Sequence, residues 1–141
     1  MPRVPAARAE PEIPSRYRVY RLPGAKPTER GVLYRRGRQR YLLAWPRVKR
    51  AFAADVGGPG EPQLTVFDLA IQVIGSECVV CRLDAEPGEQ AMRVARAIQL
   101  ALGPQACSPC IRALALDGVA TSAYPDLDVF SESALEAVRF G

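Results

Sequence analysis

Residues 64–103, LTVFDLAIQVIGSECVVCRLDAEPGEQAMRVARAIQLALG, decide the fold class, because their apolar spacing changes midway. LTVFDLAIQVI (64–74) is apolar and β-branched, and reads as a well-buried strand. Gly75-Ser76 turns the chain, and ECVVCRLD (77–84) reads as a second strand. From Glu86 the rule is different. Ala91, Val94, Ala95, Ile98, Ala101 and Leu102 recur every three or four residues, which is one face of a helix. Pro87 falls near the first turn and Gly103 just past the last, so the spacing predicts a helix over 86–103.

Upstream of this stretch the period is two. RYRVYRL (16–22) alternates polar and apolar residues and predicts a strand. PGAKPTER (23–30) predicts a loop. GVLYRR (31–36) and QRYLLAW (39–45) flank Gly37-Arg38 and predict a hairpin, because Gly accepts the positive φ such a turn needs. RVKRAFAADV (47–56) reads as a strand entered after Pro46, and VGGPGEPQ (56–63) as a loop. Downstream, Ser108-Pro109 opens a shorter helix over 109–116, ended by Gly118. SAYPDLDVF (122–130) is turn-rich, and Ser133 with Glu136 forms a capping-box match that opens a last helical piece to about Arg139. Residues 1–15 hold four prolines and no periodicity, and read as a disordered arm. Strands followed by helices predict an α+β fold. The organisation expected is an arm (1–15), a β-rich domain with a closing helix (16–103), and a small helical extension (104–141) packed on the same domain.

The bulk numbers set the class. The 141 residues suffice for one domain, and 48% apolar with 24% charged content is globular. No run of apolar residues is long enough for a membrane span, and MPRVPAARAEPEIPSR has no apolar signal region, so the expected compartment is a bacterial cytoplasm. Charge is unevenly spread. Residues 1–50 carry 14 basic and 3 acidic groups, whereas residues 51–141 carry 5 basic and 12 acidic. Such a chain either steers an anionic partner to one face or lets its two halves attract each other. The cations are overwhelmingly Arg, 17 against 2 Lys, a bias that a GC-rich genome also produces.

Two constellations carry chemistry. The first is the hairpin itself: Arg35, Arg36, Arg38 and Arg40 lie within six residues, flanked by Tyr34 and Tyr41. Planar guanidinium forks match phosphate and carboxylate geometry, and a flanking aromatic ring offers a stacking surface. Arg36, Arg38 and Arg40 are the expected anion-contacting groups, with Arg35 beside them and Tyr41 as the aromatic. The plain alternative is a solvated turn whose charge discourages aggregation. The second constellation is Cys78-Val-Val-Cys81 with Cys107-Ser-Pro-Cys110, the written form of a four-cysteine zinc site. Against zinc, positions i and i+3 of a strand point to opposite faces, and CVVCR lacks the glycine turn of a zinc knuckle. The acidic groups Asp84, Glu86 and Glu89 suit the start of a helix, while Asp126, Asp128 and Glu132 match no calcium loop. No His is present, which removes His-based triads, bases and metal ligands, and GGPG (57–60) is no phosphate-binding loop. The expectation is a non-enzymatic protein.

Strands, a basic hairpin, the step Trp45-Pro-Arg-Val48, more strands and a closing helix together resemble a bacterial pleckstrin-homology-like domain over residues 16–103. That resemblance implies a bent β-sandwich or partial barrel of seven strands closed by one amphipathic helix. It also implies a binding or adaptor module. Lys26, Arg38, Arg40 and Tyr41 match the basic motif of its lipid-binding members, so the partner expected is an acidic protein surface or a layer of lipid headgroups, with nucleic acid not excluded. A second resemblance is to PilZ domains, which bind cyclic di-GMP. Arg36 and Arg40 fit their Arg-x-x-x-Arg segment, and Asp68-Leu-Ala70 begins their second motif, but Val73 stands where that family has Gly. The alternatives to the basic binding module are therefore a small protein stabilised by zinc on its four cysteines, and cyclic di-GMP binding.

Overall fold

The computed structural model describes residues 16–56, 60, 62–75 and 77–118. Among these residues, seven strands and two α-helices follow one another as β1 (Arg16–Arg21), β2 (Lys26–Pro27), β3 (Gly31–Arg36), β4 (Gln39–Ala44), β5 (Arg50–Val56), β6 (Leu64–Ile74), β7 (Glu77–Ala85), α1 (Glu89–Leu102) and α2 (Pro109–Asp117). The chain is α+β, as its change of period predicts. The arm assigned to residues 1–15 and the helical piece near 133–139 lie outside the described residues, as do the turn-rich stretch 122–130 and parts of the 56–63 loop.

Two sheets form. The larger has the order β1-β7-β6-β5, the smaller β2-β3-β4, and among the described residues they do not close into a barrel. Pairing is antiparallel except between β1 and β7, which run parallel from Arg16 beside Glu77 to Arg21 beside Arg82. The sequence leads to an antiparallel expectation throughout. Alternation identifies RYRVYRL as a strand but carries no information on which neighbour it joins or in which direction.

Strand parity sorts the larger sheet into two faces. One presents Ala51, Ala53, Phe67, Leu69, Cys81, Leu83 and Ala85, all buried. Ala91, Ala95 and Ile98 from α1, with Ile111 and Leu114 from α2, pack on that face, and Val32, Leu43 and Trp45 of the smaller sheet and its exit join the same core. Of the stripe read from sequence, Ala91, Ala95 and Ile98 are buried and Val94 and Leu102 pack partly buried against the core, whereas Ala101 is exposed. The other face carries Phe52, Ala70, Cys78 and Val80, with Val73 packed against them. On it Asp68 accepts from two guanidinium nitrogens of its cross-strand neighbour Arg82, at 2.7 and 2.8 Å.

Residues 104–118 belong to the same core. The Ser108 hydroxyl caps α2 by accepting from the Ile111 amide, and Pro109 occupies its first position. Just before it, the Ser108 amide donates to the Ala51 carbonyl, 3.0 Å, and Cys107 bridges to Ala51. The outer edge of β5 is occupied there. No helix among the described residues is long and apolar enough to cross a membrane.

Candidate functional site: a basic face on the small sheet

The β3–β4 hairpin turns through Gly37, at φ +65, and Arg38. A positive φ at the first central residue alone is the II′ pattern, whose twist suits a two-residue hairpin. That turn fixes every partner below it: Arg36 with Gln39, Arg35 with Arg40, Tyr34 with Tyr41, Leu33 with Leu42 and Val32 with Leu43. Directly opposed residues share a face, and faces alternate along each strand. Val32 and Leu43 are buried in the core, so Tyr34, Arg36, Gln39 and Tyr41 extend the inner face. Leu33, Arg35, Arg40 and Leu42 form the outer one.

The hairpin is held rigidly for a solvent-facing element. Tyr34 and Tyr41 stack across it with ring centroids 5.5 Å apart and planes 24° from parallel. Such a pair contributes about 0.5–1.5 kcal/mol beyond area burial. At its base, the Trp45 indole N–H donates to the Thr28 carbonyl, 2.8 Å, and the Trp45 amide to the Arg30 carbonyl, 3.2 Å. The Thr28 hydroxyl in turn donates to the Gly31 carbonyl, 2.7 Å. On the far side, the Arg35 amide donates to the Pro23 carbonyl, 2.9 Å, which ties the loop at 23–25 to the hairpin.

The outer face holds the candidate site. Lys26 pairs with Leu33, which brings its side chain to the face of Arg35 and Arg40. Gly24, Lys26, Leu33, Tyr34, Arg35 and Arg40 line an open groove of about 290 Å³. Leu33 also borders a second groove of about 430 Å³, shared with Thr28, Glu29, Arg30 and Leu42. The outer face therefore runs from a tri-cationic end to an apolar one, with Glu29 and Arg30 at its margin.

The arginines divide by whether a carboxylate answers them. Arg18 pairs with Glu77 at 2.7 Å and Arg21 with Asp84 at 3.9 Å, both across the β1–β7 boundary. Arg82 is answered by Asp68, and that hydrogen bonding raises its already high pKa. Part of the basic front half is thus neutralised by the acidic rear half. Arg35, Arg36, Arg38, Arg40 and Lys26 have no such partner among the described residues, and the four arginines are exposed. Like charges directly opposed on a strand pair are destabilising. Arg35 facing Arg40 is a pair of that kind.

Parity separates the expected trio. Arg36 faces inward beside Tyr34 and Tyr41, away from Arg40, and Arg38 occupies the turn. The groove group is Lys26, Arg35 and Arg40 over Leu33. Tyr41, 42% exposed, flanks it from the inner face. Lys26 is legible in the sequence only as part of a motif, because β2 is two residues long and contains a proline. The signal for Arg35 with Arg40 is available there: both stand equally far from Gly37-Arg38.

Neither the residues of the PilZ resemblance nor the four cysteines are brought together. Arg36 and Arg40 occupy opposite faces, Asp68 is engaged by Arg82, and Val73 packs into the Phe52 cluster. Cys78 lies on one face of the larger sheet, while Cys81, Cys107 and Cys110 belong to the core on the other. Among the described residues no group of Cys, Asp or Glu is arranged to hold a metal ion. All four cysteines are buried thiols. Burial pushes Cys78 up from 9.0 to about 11, helped by the Asp68 charge. It pushes Cys107 up to about 11 as well, despite opposing pulls from Arg112 and Arg50, and it raises Cys81. Such thiols are poor nucleophiles. The chain matches no protein-family model, no curated protein and no solved structure.

Proposed function

We propose that this protein is a non-enzymatic binding module that holds an anionic partner, an acidic protein surface or a layer of lipid headgroups, on the outer face of its small sheet. Lys26, Arg35 and Arg40 contact the anion, Leu33 provides the apolar floor, and Arg38 at the tip adds long-range attraction. One observation carries the reading: Arg35 and Arg40 are directly opposed, exposed and unanswered, while Arg18, Arg21 and Arg82 each have a carboxylate. An arrangement that costs stability in the free protein is repaid when an anion bridges it. Seven strands followed by a long helix support the pleckstrin-homology-like likeness, and the parallel β1–β7 pair departs from the antiparallel plan it implies. The basic group sits on a rigid sheet, which suits recognition better than a loose loop.

The test is retention on an anionic resin and co-sedimentation with vesicles containing acidic lipid, at physiological ionic strength. Arg35→Glu is compared with Arg93→Glu, an equal charge change at an exposed position of α1. Retention should fall for Arg35→Glu and persist for Arg93→Glu. Equal losses would mean that net charge alone is being read, and the site would be abandoned.

A further inference from the structure

We infer that the outer edge of β4 is a docking edge for an extended acidic peptide, which adds to the small sheet as a fourth, antiparallel strand. The inference rests on the proposed anion site and names its partner class.

The backbone provides the first half. The Trp45 amide donates to the Arg30 carbonyl, so the pair 30/45 is a hydrogen-bonded pair of the β3–β4 ladder. Such pairs alternate, which makes 32/43, 34/41 and 36/39 the next ones. Gln39, Tyr41 and Leu43 therefore aim their N–H and C=O groups at β3. Arg40, Leu42 and Ala44 aim theirs outward. The Arg35 amide, which reaches to Pro23 on the opposite side, obeys the same alternation. β4 is the edge of its sheet, and none of its outward groups has a backbone partner among the described residues. By contrast, the edge of β5 is engaged by Cys107 and Ser108.

The side chains provide the second half. Arg40 and Leu42 flank that edge on the outer face and Tyr41 on the inner one, with Leu42 44% and Tyr41 42% exposed. A free edge is a template for another strand, and edge charges ordinarily guard against self-association. Here the guards are all positive, so they repel a second copy of β4 and attract a strand of opposite charge. An incoming residue opposite Arg40 lies beside Arg40 and one strand further from Arg35, so a carboxylate there pairs with Arg40 directly and offsets the repulsion that Arg35 exerts on it across the ladder. Residues opposite Leu42 and Tyr41 meet apolar surface. The expected ligand reads, in antiparallel sense, apolar, apolar, acidic, any, acidic. This is strand addition, with main-chain bonds giving affinity and alternate side chains giving specificity.

The probe is a labelled synthetic peptide, Ser-Thr-Ile-Val-Glu-Thr-Glu, followed by fluorescence anisotropy against the full chain. Its isoleucine, valine and first glutamate are placed opposite Leu42, Tyr41 and Arg40. Leu42→Pro removes an outward N–H that the fold does not use, and edge strands accept proline at such positions. It should weaken binding by about tenfold, the value of one charge-assisted or well-placed hydrogen bond. The same weakening should follow N-methylation of the peptide's first glutamate, whose N–H faces β4, and not of its valine, whose N–H faces away. That second comparison leaves the protein unaltered. Absence of binding by the wild type, or equal binding by all the methylated peptides, overturns strand addition. If Arg35→Glu still abolishes resin retention in that case, the anion site stands without the docking edge, and its partner is a membrane where vesicle co-sedimentation is lost as well.

Discussion

Asp68 holds Arg82 through two hydrogen bonds, 2.7 and 2.8 Å long, across the β6–β7 ladder, with the carboxylate almost buried. The same chain leaves Arg35 and Arg40 facing each other in solvent with no described carboxylate near enough to pair. One relationship fixes the central sheet, and the other is open to something outside the molecule.

Asp68→Asn leaves the Arg82 guanidinium, 24% exposed, without its counter-charge and with one acceptor fewer. It should destabilise the fold by about 1.5–3 kcal/mol, read from the denaturant midpoint at unchanged slope. Replacing both residues by apolar ones of similar volume should recover most of the loss.

The base of the hairpin depends on two features. An added Cβ at Gly31 would collide with the Leu43 carbonyl. Gly31→Ala is expected to cost about 2 kcal/mol or more, measured by chemical denaturation. Trp45→Phe removes the donor to the Thr28 carbonyl and should cost about 1–2 kcal/mol. Neither substitution touches a charge, so any accompanying loss of anion binding would report the hairpin's orientation.

Burial of Cys78 and Cys107 gives a pH signature at the alkaline end. Their folded pKa values lie near 11, against 9.0 ordinarily, so the folded chain keeps protons that the unfolded chain releases. The stabilisation is complete below pH 9 and is lost as pH rises toward 11. Cys78→Ala with Cys107→Ala should flatten the fall in melting temperature across that window. A slope identical to the wild type would place those thiols in water. Labelling of the native protein by a thiol reagent at pH 8 should likewise be slow until denaturant is added.

Much of this architecture is legible in the residues. The period change at Glu86, the Gly37-Arg38 turn and the Ser108-Pro109 cap are local signals, and each produces the element it specifies. What escapes is non-local. No feature of RYRVYRL says that β1 lies parallel to β7, and Lys26-Pro27 is too short to register as a strand. The site shows the same division. Exposure of the hairpin arginines follows from composition, but which of them converge depends on parity about the turn, and Lys26 joins them only through the third strand. The cysteine spacing looks like a ligand set on paper, and strand parity disperses it.

Anion binding at an unanswered arginine pair has a thermodynamic consequence that one thermal melt can read. With tripolyphosphate added at constant ionic strength, the wild-type melting temperature should rise with anion concentration, because the ligand binds the folded state alone. The Arg35→Glu chain, in which the opposed charges attract, should melt at or above the wild-type temperature without the anion and show no further rise with it. A wild type indifferent to tripolyphosphate, or an Arg35→Glu chain stabilised to the same extent, would contradict the assignment of Lys26, Arg35 and Arg40 as an anion site.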